Sequence, residues 1–199
     1  MPTAWFNDNV LPDLMLNSGF KPLGVSDHFE ALNKCMSQVQ GKKLLDLGCG
    51  IGEAFETFSD FEYTGADLPH IIENASRKRS PGATFIHFNA DNDSYEFLGQ
   101  YDVVLMNSFI SELPNWYWVL NNVLLHSTKD IVIHRQEVSD GPSKLEDYIT
   151  YGGLPTIKCI INYKDLVKTC EINGYNLVDE CNSFPHDSRQ KTFLFRKEK

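Results

Sequence analysis

The stretch "LLDLGCGIGEAF", residues 44–55, places Gly48, Gly50 and Gly52 within five positions directly behind an apolar run. Glycine lacks a Cβ, so it adopts backbone dihedrals that other residues avoid and lets a ligand come close to the main chain. The apolar run, within "KKLLDLG" (42–48), reads as a short buried strand, and "EAFETFSD" (53–60) as the helix that follows. A glycine-rich turn between the two lies where doubly wound sheets bind ligands, outside the carboxyl ends of their strands.

The same rhythm continues downstream. "FEYTGAD" (61–67), "ATFIHFN" (83–89), "YDVVLMN" (101–107) and "DIVIHRQ" (130–136) read as strands. "PHIIENASRKR" (69–79), with Pro69 near its first turn, and "NWYWVLNNVLLHS" (115–127) read as helices. Strands alternating with helices at short intervals predict right-handed crossovers and a mainly parallel sheet. Residues 1–24 read as irregular, with Trp5 and Phe6 as exposed aromatics, ahead of a helix from about Asp27 to Gln40. Residues 137–161 also read as irregular, and a helix follows at 163–173. "YNLVDECNSF" (175–184) and "KTFLFRK" (191–197), joined by six residues, suggest a hairpin. The expected fold is therefore α/β: a doubly wound, mainly parallel sheet of about seven strands with a C-terminal antiparallel hairpin and helices on both faces. With no repeat, low-complexity tract or linker, residues 1–199 read as one domain.

Composition narrows the partners. The 199 residues carry a formal charge of −9, which disfavours generic binding to nucleic acid. The basic cluster "SRKRS" (76–80) reads as the solvated end of a helix. No run of 18 apolar residues suggests a membrane span, and "MPTAWFNDNV" has no basic stretch leading into an apolar one, which argues against a secretory leader. Five cysteines, an odd number without a C-x-x-C pair, argue against both a disulfide framework and structural zinc. They are expected to be free thiols in a reducing cytoplasm.

A second acid supports the glycine loop. Asp67 ends the second strand, 19 residues after Gly48, where a carboxylate can hydrogen-bond a ribose diol. "LLDLGCGIG" (44–52), with Asp46 two positions before the first glycine, together with "YTGADL" (63–68), resembles the class I S-adenosylmethionine-dependent methyltransferases. A nicotinamide dehydrogenase usually shows G-x-G-x-x-G, whereas here Glu53 stands where that pattern has its third glycine. The resemblance implies S-adenosyl-L-methionine as cofactor. Residues 41–136 would form the cofactor-binding core, 1–40 an N-terminal lid and helix segment, and 137–199 the acceptor side with the hairpin. It further implies that the backbone of Gly48, Cys49, Gly50 and Gly52 packs against the methionine and ribose, that Asp46 orients the loop, and that Asp67 takes the ribose hydroxyls. Leu68 would pack on adenine, and Asn89, Ala90 or Asp91 would flank it, with Asp91 reaching its amino group. Asn107 would lie near the methyl donor.

Methyl transfer is an in-line displacement, so alignment dominates, and an alcohol nucleophile also needs a base. His134, closing the fifth strand, and His186, between the last two strands, are the preferred catalytic candidates, because neutral imidazole is a good base near pH 7. Glu112, after the fourth strand, is a third candidate. His28 starts the first helix and reads as part of a lid. Arg135, Tyr148 and Tyr151 are placed to shape an acceptor pocket. The fourth strand ends in Asn107-Ser108-Phe109-Ile110 without prolines, which argues against methylation of a planar amino group. No metal site is expected. The second half also resembles small bacterial methyltransferases that modify surface polysaccharides and other sugars. That points to O-methylation of a small hydroxylated or sugar-like acceptor. A protein or nitrogen methyltransferase, or a catalytically silent S-adenosylmethionine-binding module, remain alternatives, and so does a homodimer in which residues 1–25 pack on the neighbouring subunit.

Overall fold

The computed structural model describes residues 5, 10–19, 21–150 and 153–198, so Phe6 and Tyr151 lie outside the described residues. The core is a five-stranded parallel sheet in the order β3-β2-β1-β4-β5, with β1 at Lys43–Leu47, β2 at Glu62–Asp67, β3 at Thr84–His87, β4 at Val103–Asn107 and β5 at Asp130–Ser139. The apolar run of β4, and that of β1 broken only by Asp46, follow from burial on both faces. Their two-residue period splits them between two packed layers. Leu45, Val104 and Met106 join one core with α5 (Trp116–His126) and α6 (Tyr163–Ile172). Leu44, Val103 and Leu105 join the other with α2 (Phe29–Met36) and α3 (Glu53–Thr57).

The expected C-terminal hairpin is present as β8 (Tyr175–Phe184) and β9 (Asp187–Lys197), with β9 antiparallel to β5. The strands run longer than their apolar runs suggest. Two residues, Pro185 and His186, turn the chain in place of a six-residue loop.

Among the described residues the sheet has nine strands, because the segment read as irregular (137–161) contains a second hairpin, β6 (Lys144–Thr150) and β7 (Leu154–Asn162). Its physical reason is legible in the structure. β6 exposes most of its residues and so carries no alternating apolar face, and Pro155 sits in β7 opposite Ile149, next to the turn. β5 outlasts its neighbour β4: Asn107 pairs with His134, and four residues further Val138 and Ser139 pair in parallel with Ile161 and Asn162 of β7. Between the two zones the register slips at 133–136, and Arg135 takes φ 57° there. The β6–β7 hairpin is thereby hung beyond the carboxyl ends of the parallel strands.

Two further pieces cover that end. The helix at 69–79, α4, starts at Pro69 and is π-wound at Ile72–Ser76. π-wound turns recur at functional sites, and here the Ser76 hydroxyl donates to the Gly50 carbonyl at 2.6 Å. The short helix α1 (Leu11–Leu16) packs Leu11 and Met15 on Ile71 of α4, joined by Trp5, Ile51, Leu68 and, from β7, Leu154. Of "SRKRS", Ser76 and Ser80 are buried, while Arg79 forms a two-bond pair with Glu56. All five cysteines are free, four buried and Cys181 partly so. Among the described residues no helix is long and apolar enough to cross a membrane.

Candidate functional site

Three left-handed glycines shape the loop after β1, with φ 78° at Gly48, 53° at Gly50 and 78° at Gly52, which precedes α3. The amides of Gly48 and Cys49 both donate to Ala66 of β2, which folds the loop back over the sheet edge. Above it opens a cavity of about 690 Å³, a size that holds a drug-sized ligand. Gly48, Cys49 and Gly50 line it, whereas Gly52 stands behind the wall at the start of α3.

Two carboxylates line the same cavity. Asp46 is buried; Tyr63 donates its hydroxyl to Oδ2 at 3.0 Å, while Oδ1 has no partner among the described residues. Burial pushes its carboxyl up to about 7, against the pull of the Tyr63 hydroxyl. Asp67 accepts the Gly50 amide at 2.8 Å on Oδ2 and the Leu68 amide at 2.7 Å on Oδ1. Burial raises it to about 6, offset by those two amides. A carboxylate oxygen has two lone pairs, so Asp67 ties the loop to β2 and still has acceptor capacity for a ligand.

Of Asn89, Ala90 and Asp91, only Ala90 lines the cavity, next to Phe88. Asn89 turns its side chain to the Asp91 amide, and Asp91 accepts from Asn115 at 2.7 Å on the exposed side. Neither reaches the wall: an Asx-type turn takes up the Asn89 side chain, and Asn115 holds that of Asp91. Leu68 lines the cavity as expected. Asn107 also lines it, with its side-chain oxygen buried and without a partner among the described residues. Ser108 follows with φ 56°, a left-handed conformation in a residue other than glycine, at the point where β4 ends in the site.

The two imidazoles preferred as bases lie elsewhere. His186 is exposed at the tip of the β8–β9 turn and does not line the cavity. Extension of both strands carries it past the rim. His134 is fully buried behind the wall, and burial holds it well below the ordinary histidine range. Its Nε2 lies 2.9 Å from His28 Nδ1 and its Nδ1 lies 2.7 Å from Thr192 Oγ1.

In their place the cavity presents His28 and Glu112. His28 is brought down to about 4 by burial and then by Arg135, so it is neutral at pH 7. Glu112 sits in the single turn after β4 and accepts Trp5 Nε1–H at 3.2 Å. Burial raises it to about 7, opposed by the Trp5 bond and the charges of Arg135 and Lys158. A carboxyl poised there exchanges a proton readily at neutral pH. Arg135, Lys158 and Tyr148 close the cavity on the β6–β7 side, with Lys158 bonded to Glu137 at 2.7 Å. The site thus has a carboxylate-rich floor suited to a cationic, hydroxyl-bearing ligand and, at the other end, a proton acceptor. His28 was legible as a helix start and part of a lid but not as a partner of His134 and Arg135, which are more than a hundred residues away.

No family model and no curated protein matches the chain. Solved structures do. The methyltransferase CcbJ from Streptomyces caelestis superposes with a TM-score of 0.67 at 13% identity, over 97% of this chain and 100% of the other. CalS10, a SAM-bound amino pentose methyltransferase from Micromonospora echinaspora, superposes at 0.66 and 14% identity, over 92% and 96%. The glycopeptide N-methyltransferase MtfA in complex with SAM superposes at 0.61 and 14% identity, over 87% and 95%. The chain therefore has the fold of the S-adenosylmethionine-dependent methyltransferases.

Proposed function

We propose that the chain is an S-adenosylmethionine-dependent methyltransferase acting on a hydroxyl of a small, polar, sugar-like acceptor. One observation carries this reading: Asp46 Oδ1, a buried oxygen without a partner among the described residues, lines the same cavity as the left-handed glycine loop that Asp67 holds through the Gly50 amide. An unsatisfied buried acceptor is costly unless a ligand completes it, and an ammonium group such as that of the cofactor's methionine end fits it. Asp67 would take the ribose hydroxyls, Leu68 and Ala90 would flank adenine, and Asn107 would face the methionine end. When bound, the cofactor supplies an activated methyl on a sulfonium. The chain aligns the acceptor against it, and Glu112 takes the proton that the acceptor releases. An amine acceptor is the second reading, favoured because CalS10 and MtfA act on an amino sugar and on nitrogen.

Calorimetry with S-adenosylmethionine and S-adenosylhomocysteine tests the cofactor. Micromolar binding is expected, weakened at least about tenfold in Asp67→Ala, the loss typical of a charge-assisted hydrogen bond. Absence of binding to the unaltered chain sinks the reading, and binding of NAD instead would mark a dehydrogenase. Binding with no turnover on any hydroxyl or amine acceptor would leave the catalytically silent module.

Binding should also release a proton. Asp46 holds its proton up to about pH 7 in the free protein, and pairing with an ammonium favours the ionised form, so the bound state has the lower pKa. Affinity then rises with pH, by about tenfold per unit below about pH 6, and levels off above 7. Calorimetry at pH 6 in two buffers of different ionisation enthalpy measures the released proton directly. Equal heats in both would exclude an Asp46–ammonium pair.

A further inference from the structure

Behind the acceptor end of the cavity a chain of hydrogen bonds runs into the core. His28 Nδ1 meets His134 Nε2 at 2.9 Å, His134 Nδ1 meets Thr192 Oγ1 at 2.7 Å, and Thr192 Oγ1 meets Ser183 Oγ at 2.9 Å. Both ends touch Arg135: its guanidinium Nη1 lies 3.4 Å from His28 Nε2, and its backbone N–H donates to Ser183 Oγ at 3.2 Å.

Only one direction of donation is consistent with these partners. A guanidinium has donors and no acceptor, so His28 Nε2 must carry the lone pair and Nδ1 the hydrogen. Ser26 supports this independently. Its hydroxyl donates to the Leu23 carbonyl at 2.8 Å, so its oxygen can only accept from His28 Nδ1, 3.3 Å away. With Nδ1–H of His28 donating to His134 Nε2, the second ring carries its hydrogen on Nδ1 and donates to Thr192, whose hydroxyl can turn to Ser183. Two imidazoles are thereby locked in one tautomer, and the lone pair that remains is His28 Nε2, on the ring that lines the cavity. Phe184, edge-on to His28 with centroids 5.3 Å apart, fixes the ring plane.

We propose that His28 is a specificity-determining residue: its Nε2 accepts a hydrogen bond from a hydroxyl or amine of the acceptor, and His134 with Thr192 are positioning residues that hold it in the accepting tautomer. The long contact to Arg135 leaves room for a better donor. An acceptor group that offers only lone pairs is excluded there. The tautomer lock stands whether or not the site transfers methyl groups; only the identification of the bound molecule as a methyl acceptor rests on the reading above.

Nitrogen-15 NMR of the histidine rings tests this without turnover. At pH 7 His28 is expected as the Nδ1–H form, with a bare Nε2. Titration with 1,2-ethanediol as probe, in the presence of S-adenosylhomocysteine, should shift His28 Nε2, whereas 1,2-dimethoxyethane, which cannot donate, should not. Thr192→Val, close in shape, should let the tautomers mix. His134→Gln, whose side-chain oxygen can accept from His28, should preserve the His28 tautomer, and His134→Phe should lose it. If His134→Phe does not fold, Thr192→Val and His134→Gln still decide. An Nε2–H form of His28 in the unaltered protein, equal shifts with both probes, or an unchanged tautomer pattern in Thr192→Val overturns the proposal. Absence of S-adenosylhomocysteine binding would instead count against the methyltransferase reading; the tautomer measurements are then made on the free protein.

Discussion

Glu112→Gln is expected to lower turnover by about 10²–10⁴-fold, the usual contribution of a positioned general base, while cofactor affinity stays within about twofold. The substitution keeps the shape of the side chain, and the amide oxygen still accepts the Trp5 indole N–H that holds Glu112 in place. It removes only the ability to take a proton. On the proposed reading the unaltered protein should show kcat rising with pH through about 7, since burial holds the carboxyl protonated below that and only the ionised form is a base; above 7 the rate levels off. In Glu112→Gln this step in the profile disappears. The measurement uses single-turnover mass spectrometry on whichever hydroxyl or amine acceptor a screen of sugars and small alcohols yields. His186→Ala, which alters an exposed turn outside the cavity, is the control and should leave the rate within twofold. A decrease smaller than about tenfold in Glu112→Gln, or an equal decrease in His186→Ala, removes Glu112 from this role.

That the cavity is lined by Glu112 and not by His134 or His186 shows which parts of the site local sequence can carry. Asp46, the glycines and Asp67 lie on two adjacent strands within a short span, and β1 pairs with β2 so that Asp46 stands beside Gly65 and Leu47 beside Ala66. Their juxtaposition follows from the crossover rule alone. The other end of the cavity is assembled differently. Glu112 depends on Trp5 from the N-terminal segment, and His28 depends on His134 and Arg135 from β5. Pairs that far apart in sequence leave no local periodicity to read. His134 illustrates the limit: its position at the carboxyl end of a parallel strand suits a base, but the register slip at 133–136 turns Arg135 rather than His134 into the cavity. The β6–β7 hairpin was invisible for another reason, since an edge strand exposed on both faces has no hydrophobic pattern.

Gly48→Ala should cost about 2–5 kcal/mol of stability and abolish cofactor binding together with it, because two independent penalties meet at one atom. The backbone there has φ 78°, a region that costs an L-residue about 1–2 kcal/mol. A Cβ built on it would stand 2.3 Å from Phe109 Cδ2, so the ring must move, and forcing extra volume into a packed site costs about 1–3 kcal/mol more. Phe109 lines the cavity, so its displacement intrudes on the space a ligand needs. Gly174→Ala separates the two contributions. Gly174 has φ 80° and nothing within 4 Å of its would-be Cβ, so it should show the backbone cost alone and bind S-adenosylmethionine normally. Urea unfolding of both variants, with calorimetric binding alongside, measures the difference. If Gly48→Ala is no less stable than Gly174→Ala and still binds, the glycine at 48 is needed for its dihedral only, and the close approach between loop and aromatic wall has no part in shaping the site.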